Sequence, residues 1–358
     1  MMTLRQFSQG LESVPATTSW YLADIAEARG KQELFIRQSP QRLKTLRDFA
    51  LVESAVSSTR IEGVNVDPSR VKTIVFGKAS LRDRSEEEVR GYREALKLIH
   101  EQRTALPLSE GIALELHRLV LPDAWDAGRL KEKNGQIIEK SADGRTRVRF
   151  TPASAKRTPA SMKELFELWM RGVKNREIHP LILAAGFNLD FLCIHPFRDG
   201  NGRVSRLLLL LQCCHLGYEV GRYISIERLM EQNKERYYET LEESSRDWHE
   251  GKHNPWPYIN YLFFILKSAY REFEERLGQV AEPRGAKTQI VQNVLARLPG
   301  EFSVADLESS CPTVSRDMVR RVLRDLQKAG QVECLGRGPG ARWRKKGNVL
   351  KKGKKEGN

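Results

Sequence analysis

The run Leu207-Leu208-Leu209-Leu210-Leu211 and its flanks constrain this chain more than any other segment. From Val204 to Leu216 the sequence reads as one helix, apolar on nearly every side. It is too short to cross a bilayer, which takes ~20 residues. A helix apolar all round therefore has to be buried in protein. This predicts a mainly α-helical domain. Other helices are read at Leu43–Glu62, Ser69–Phe76, Glu86–Gln102, Leu108–Leu121, Ser161–Val173, Leu181–Ile194, Glu227–Glu243 and Pro257–Leu277. Gly63 serves as a stop signal and Pro107-Leu108-Ser109 as a start.

One stretch breaks the helical period. Gln136–Glu139 and Thr146–Phe150 are short β-prone runs around Asp143-Gly144, which predicts a hairpin. A boundary is expected at Ala281-Glu282-Pro283-Arg284-Gly285. Beyond it, helices at Thr288–Leu298, Ser303–Ser309 and Ser315–Ala329 precede two strand-like runs flanking Gly336–Gly340. Three helices followed by strand-turn-strand resemble a winged helix-turn-helix. The expected organisation is an N-terminal helical region at 1–90, a catalytic core at 91–280, a winged helix at 284–346 and a basic disordered tail at 347–358.

Charge is uneven. The formal net charge is +14, and about half of it falls in the last seventeen positions, where eight Lys and Arg face one acid. A solvated disordered end and weak polyanion binding both fit such a tail. Residues 1–10 lack a basic-then-apolar signal, and the five cysteines form no CxxC pair. A soluble protein of the reducing cytoplasm is expected, with no membrane partner, disulfide framework or zinc site.

The segment His195-Pro196-Phe197-Arg198-Asp199-Gly200-Asn201-Gly202-Arg203-Val204-Ser205-Arg206 carries the candidate chemistry. Gly and Asn tolerate left-handed backbone angles, so Asp199–Gly202 can turn tightly. A helix starting just after the turn points free N–H groups back into it and forms a phosphate cradle. Two arginines at a helix start oppose the helix dipole unless an anion compensates. Arg203 and Arg206, three apart, are expected to reach one polyphosphate. Asp199 can offer oxygen to a magnesium ion, and His195 can act as a base near neutral pH.

This segment resembles the signature of the Fic family, H-x-F-x-[DE]-G-N-G-R-x-x-R, with every specified position filled. The resemblance covers roughly residues 45 to 265, including Leu116-His117-Arg118. It implies a Fic-type helical bundle with a β-hairpin flap and a protein adenylyltransferase using ATP and Mg²⁺. His195 would deprotonate a target Tyr, Thr or Ser hydroxyl, and Asp199 would hold the metal. Phe197, Arg198, Asp199, Gly200, Asn201, Gly202, Arg203 and Arg206 would form the nucleotide site, with Phe197 turned into the core and the arginines on the β- and γ-phosphates. Gly202, where γ-phosphate-transferring relatives carry Lys, implies AMP transfer. Tyr237-Tyr238 stand where relatives line the adenine and α-phosphate side; core-edge packing is the alternative for this pair. Ser245 replaces a frequent Asn, and Lys131 replaces the Arg of a Gly-x-[FW]-Arg pattern.

Ser58-Thr59-Arg60-Ile61-Glu62-Gly63 resembles the family's inhibitory pattern, [ST]-x-x-x-E-[GN]. Ser58, Glu62 and Gly63 would belong to an intramolecular inhibitory helix in which Glu62 pairs with Arg206. Glu62 could also orient a water for AMP removal. Ile137, Ile138 and Val148 either dock a target or pack on the core. The basic face of Arg316, Arg320, Arg321 and Arg324, with Arg337, Arg342 and Arg344 on the wing, fits DNA, while protein docking or dimerisation is the other use of such a module. The competing function is a nucleotide-sensing, DNA-binding transcription regulator. The target protein, self-modification, a homodimer and a UTP, GTP or choline-bearing donor stay open at this stage.

Overall fold

The computed structural model describes residues 2–11, 13–38, 40–77, 80–103, 105–140, 146–279, 286–311, 314–336 and 341–346. The hairpin tip 141–145, the expected linker at 281–285, Arg337 and the basic tail at 347–358 lie outside the described residues. In chain order the elements are α1 (Thr3–Ser8), α2 (Ala16–Gln38), α3 (Pro40–Ile61), α4 (Val71–Phe76), α5 (Arg84–Gln102) and α6 (Glu110–Val120), then β1 (Ile137–Lys140) and β2 (Thr146–Phe150). They continue with α7 (Thr158–Asn175), α8 (Pro180–Ile194), α9 (Asn201–His215), α10 (Ile226–Gln232), α11 (Lys234–Ser245), α12 (Trp256–Gln279) and α13 (Ala286–Arg297). The last are β3 (Glu301–Ser303), α14 (Val304–Ser309), α15 (Arg316–Lys328), β4 (Val332–Cys334) and β5 (Arg342–Lys345). The fold is mainly helical, and among the described residues no helix is long and apolar enough to cross a membrane.

Two compact units divide the chain: residues 1–29 with 45–273, and residues 30–44 with 274–358. In the first, α8 and α9 form the centre. Every residue of α8 from Leu181 to Ile194 is buried, and so is the Leu207–Leu211 run of α9. Helices α1, α7 and α11 lie against α8, while α5 and α6 lie against α9. Each fully buried Leu or Phe of the central pair contributes ~1.5–3 kcal/mol. Pro180 opens α8, where the His179 Nδ1 accepts from the Leu181 N–H at 3.2 Å. Asp83 and Ser109 cap α5 and α6 in the same way, through their side-chain oxygens.

Polar contacts inside α8 fix neighbouring elements. Asp190 is wholly buried and accepts from the N–H groups of Thr3 (2.7 Å) and Leu4 (2.9 Å) and from Trp248 Nε1 (2.8 Å). Its carboxylate so anchors the start of α1, which the sequence reading had not identified as a helix. The expected single helix over 227–243 is two. At Asn233 (φ −119°, ψ 33°) the chain breaks, and its side-chain amide returns to the Leu229 carbonyl at 2.9 Å. Helix α9 begins at Asn201, two residues into the glycine-rich turn, rather than after it.

The second unit gathers α13, α14 and α15 on an antiparallel sheet of order β3-β5-β4. Leu295, Phe302, Leu307, Val322, Leu323 and Trp343 form its core. Ser303 and Asp306 make a reciprocal capping box at α14. Strand β3 was not expected from the sequence. It is three residues long, and it exists through pairing of Phe302 with Trp343 across to β5.

Candidate active site

The α8–α9 junction builds the site. His195 ends α8 in the left-handed region (φ 51°), and Gly200 (φ 77°) turns the chain into α9. The Asn201 side chain closes the intervening loop on itself: its Oδ1 accepts from Phe197 N–H (2.9 Å) and its Nδ2 donates to Phe197 O (2.8 Å). The amide of Asn201 thus shapes the loop. The first bond of the helical ladder runs from Val204 N–H to Gly200 O at 2.9 Å. The N–H groups of residues 201–203 therefore lie ahead of that ladder and present the positive end of α9.

Phe197 is buried, as expected, and stacks on His117 with ring centroids 3.9 Å apart. The Gly128 N–H donates to His117 Nδ1 at 2.8 Å, so the proton sits on Nε2, which donates to Asp199 O at 3.1 Å. Burial holds the His117 pKa below its usual value, consistent with a neutral ring in a fixed tautomer. His117 was noted in the sequence only as part of a helix; its role in holding the Asp199 peptide depends on long-range packing.

The His195 side chain is oriented by Nδ1, 3.3 Å from Leu192 O. Because a carbonyl can only accept, Nδ1 carries the proton and Nε2 keeps its lone pair. Burial, and then the Lys131 charge, push the His195 pKa down to about 4, against the opposing pull of Glu62 and Asp199. The imidazole is neutral at pH 7 and able to accept a proton.

The two arginines separate. Arg203 is buried, donating to Glu88 Oε2 (2.6 Å) and Asp199 Oδ1 (3.2 Å). Glu88 on α5 captures it. Arg206 donates to Ser58 Oγ (2.9 Å), Ser58 O (3.0 Å) and Glu62 Oε1 (2.8 Å). Glu62 follows the end of α3, next to Gly63 with φ 86°. Its carboxylate lies against Gly202: a Cβ there would stand 2.2 Å from Glu62 Oε1 and 3.1 Å from Arg206 Nη1. Only glycine at 202 admits this approach.

Helix α3 is held by a second buried contact, one turn above Ser58. Ser54 Oγ donates to Glu227 Oε2 (2.7 Å), and Tyr92 OH donates to Glu227 Oε1 (2.9 Å). Residues 54, 58 and 62 fall on one helix face by their spacing.

Asp199 is more than half exposed; Gly200 N–H (2.6 Å), Arg203 and Arg84 Nη2 (3.1 Å) approach its oxygens. A single exposed carboxylate fits a magnesium ion whose other ligands come from phosphate and water. Arg198 lies with its guanidinium 5.7 Å from the Trp125 ring centre. Tyr237 is buried among Tyr258 and Tyr261, whereas Tyr238 is half-buried, with its OH donating to Ile61 O at 3.3 Å.

Beside the site, β1 and β2 pair antiparallel, with Ile138 opposite Val148 and Ile137 opposite Phe150. Ile138 and Val148 are exposed, while Phe150 stacks on His249 at 5.7 Å. Arg147 and Arg149 tie β2 to Glu242 of α11 at 2.8 and 3.0 Å.

Residues 107–213 match the sequence profile of the Fic/DOC family. The chain carries a Fic domain. A protein adenylyltransferase Fic of Drosophila mojavensis is 24% identical over 288 residues, covering 77% of this chain and 52% of that protein. The match thus spans about half the length of that relative, and a smaller share of others, such as 35% of a protein adenylyltransferase Fic of Nematostella vectensis. A Fic family protein from Desulfovibrio desulfuricans G20 has the same fold, with a TM-score of 0.62 at 23% identity over 96% of this chain and 98% of the other. A Fic domain containing signaling protein from Bacteroides thetaiotaomicron VPI-5482 has a TM-score of 0.59 at 25% identity, covering 71% and 96%. The profile match places the α8–α9 junction, with His195 and Arg206, inside the Fic domain.

Proposed function

We propose that this chain is a protein adenylyltransferase that moves AMP from ATP to a Tyr, Thr or Ser hydroxyl of a target protein or of itself, and that Glu62 holds it in a resting state. The observation that carries the reading is the start of α9, where a carboxylate, Glu62, lies against Gly202 and on Arg206. A helix N-terminus with an adjacent arginine favours anions. Phosphate groups of ATP are the substrate anions that fit there, and relatives of this domain are named protein adenylyltransferases.

In the reaction, the target hydroxyl oxygen forms a bond to the α-phosphorus as its proton passes to His195 Nε2. The bond from the α-phosphorus to the bridging oxygen breaks, and pyrophosphate leaves. Asp199 would hold Mg²⁺, which supplies charge neutralisation on the phosphates. The N–H groups of residues 201–203 stabilise phosphate oxygens, and Arg206 holds the terminal phosphate once Glu62 withdraws. Arg203 acts through Asp199, whose carboxylate it steadies with Arg84. With Glu62 in place the γ-phosphate has no arginine, so the α-phosphate is misaimed; a misplacement of about 1 Å can cost ~100-fold in rate. The same carboxylate could orient a water for AMP removal. Exposed Ile138 and Val148 suit a target segment added along the hairpin. The free thiols, with Cys193, Cys213 and Cys214 all buried, suit a reducing cytoplasm.

Labelling of protein by ATP carrying a radioactive α-phosphate tests this. Label should appear with Glu62→Gly and vanish when His195→Ala is added. Label from the γ-phosphate instead would replace AMP transfer with phosphate transfer.

The second unit supports a DNA-binding role. Its three helices and β3-β5-β4 sheet suit a winged helix, and α15 buries Val319, Val322, Leu323 and Leu326 while exposing Arg320, Arg321 and Arg324. Such a face fits major-groove insertion with phosphate contacts. Two arginines of the expected basic face have protein partners: Arg316 pairs with Glu308 at 3.0 Å and Arg344 with Glu301 at 2.8 Å. A salt-sensitive gel shift by the full chain, lost on Arg320→Ala/Arg324→Ala, supports DNA; no shift at low salt removes it.

A further inference from the structure

Lys131, which stands where the family pattern has Arg, lies under the proposed base. Its Nζ donates to Ile194 O and to His195 O, both at 2.8 Å, and its backbone N–H donates to Pro196 O, also at 2.8 Å. Three successive carbonyls, ending α8 and entering the loop, are thereby held by one residue. Two of them belong to the last turn of α8, where the helix leaves carbonyls without partners and concentrates partial negative charge. The middle one is the peptide of His195, a non-glycine residue held at φ 51°. That conformation is sparsely populated by non-glycine residues and persists only where surroundings enforce it.

We propose that Lys131 is a positioning residue for His195: its ammonium clamps the last carbonyls of α8 and fixes the left-handed turn that aims the imidazole. This deepens the adenylyl-transfer reading, on which its catalytic consequence rests. The ammonium contributes in two ways. As a donor it fixes the His195 peptide; as a charge it opposes protonation of the ring, together with burial and against Glu62 and Asp199. Burial draws the Lys131 pKa down to about 8, and among the described residues the hydrogen-bond partners of its ammonium are the two carbonyls. The helix end is therefore the counterpart of this charge. An arginine can bridge both carbonyls with its planar fork and keep the charge.

The test compares wild type, Lys131→Arg, Lys131→Met and Lys131→Gln, with folding checked by circular dichroism. The His195 ring is titrated by NMR, which needs no turnover. In Lys131→Met the His195 pKa should rise by about one unit as the nearby charge is removed, and Lys131→Arg should keep the wild-type value. Should Lys131→Met fail to fold, Lys131→Gln carries the same expectation. In the Glu62→Gly background, neutral replacements should lower kcat by about 100-fold, in keeping with a displaced base, with the KM for ATP within about twofold, and arginine should restore most of kcat. A His195 pKa and a kcat both unchanged in a folded neutral variant would overturn the proposal. Absence of AMP transfer in every protein, with the His195 shift present, would instead refute the adenylyl-transfer reading and leave the positioning role standing.

Discussion

Replacing Glu62 by glycine should raise activity and lower stability together. The Arg206 side chain is 3% exposed and that of Glu62 29% exposed, joined by one hydrogen bond of 2.8 Å. A charge-assisted hydrogen bond of this kind contributes ~1.5–3 kcal/mol. At 1.4 kcal/mol per tenfold, releasing it shifts the latch by about ten- to a hundredfold, and the rate of AMP transfer should rise by that factor. Arg206 keeps both contacts to Ser58, so the fold survives. Without nucleotide, however, a buried cation has lost its carboxylate. A cost of ~1.5–3 kcal/mol would lower Tm by roughly 3–12 °C for a unit of this size. ATP should then restore more stability to the variant than to wild type, because its phosphate takes the vacated place. Radiolabel transfer gives the rate, and thermal unfolding with and without ATP gives the stability. Equal transfer rates for the two proteins would refute the reasoning, since Glu62 could not then be holding the phosphate site closed.

Other outcomes follow from the same geometry. The acid limb of kcat/KM, which reports the free enzyme, should lie near the His195 value of about 4; the neutral form is the base, so activity holds through pH 6 and is lost as pH falls through about 4. A limb at the ordinary histidine value of ~6.5 would contradict the partly buried, neutral base. Gly202→Ala places a carbon 2.2 Å from Glu62 Oε1, so the latch should open, seen as faster amide exchange at residues 58–63, while transfer stays below that of Glu62→Gly because the methyl intrudes on the phosphate site. Unchanged exchange would count against that contact. Ser54→Ala removes a donor to buried Glu227 and should raise basal transfer about two- to tenfold, on the scale of one weakened hydrogen bond; a rate equal to wild type would show that Ser54 plays no part in holding α3. Asp190→Ala removes the acceptor of the Thr3 and Leu4 N–H groups and of the Trp248 indole. Urea unfolding should show a loss of about 3 kcal/mol or more, and a loss under about 1 kcal/mol would mean water replaces the carboxylate.

The site was legible in sequence where its logic is local. The turn at Asp199–Gly202, the apolar helix after it and the pairing of Glu62 with Arg206 follow from residue types at short spacing or from a resemblance carried by those residues. Contacts made at long range were not legible. The i,i+3 spacing puts Arg203 and Arg206 on one face of α9, but does not show that buried Glu88, 115 positions earlier, pairs with Arg203. Lys131 read as a weakened arginine, since nothing local shows that two carbonyls await its ammonium. The fold behaved alike. Long apolar-patterned helices were found within a few residues of their ends. Helix α1 was missed because its six residues are fixed by Asp190, 187 positions from Thr3. Strand β3 depends on pairing with β5, and the break at Asn233 depends on a side chain bonding its own helix.

Intact mass measurement after incubation with ATP and Mg²⁺ tests the central claim most directly, on Glu62→Gly and on Glu62→Gly/His195→Ala in parallel. An increment of one AMP is expected on the first protein and none on the second. No AMP increment on the first, an equal one on both, or an increment of phosphate alone would contradict it.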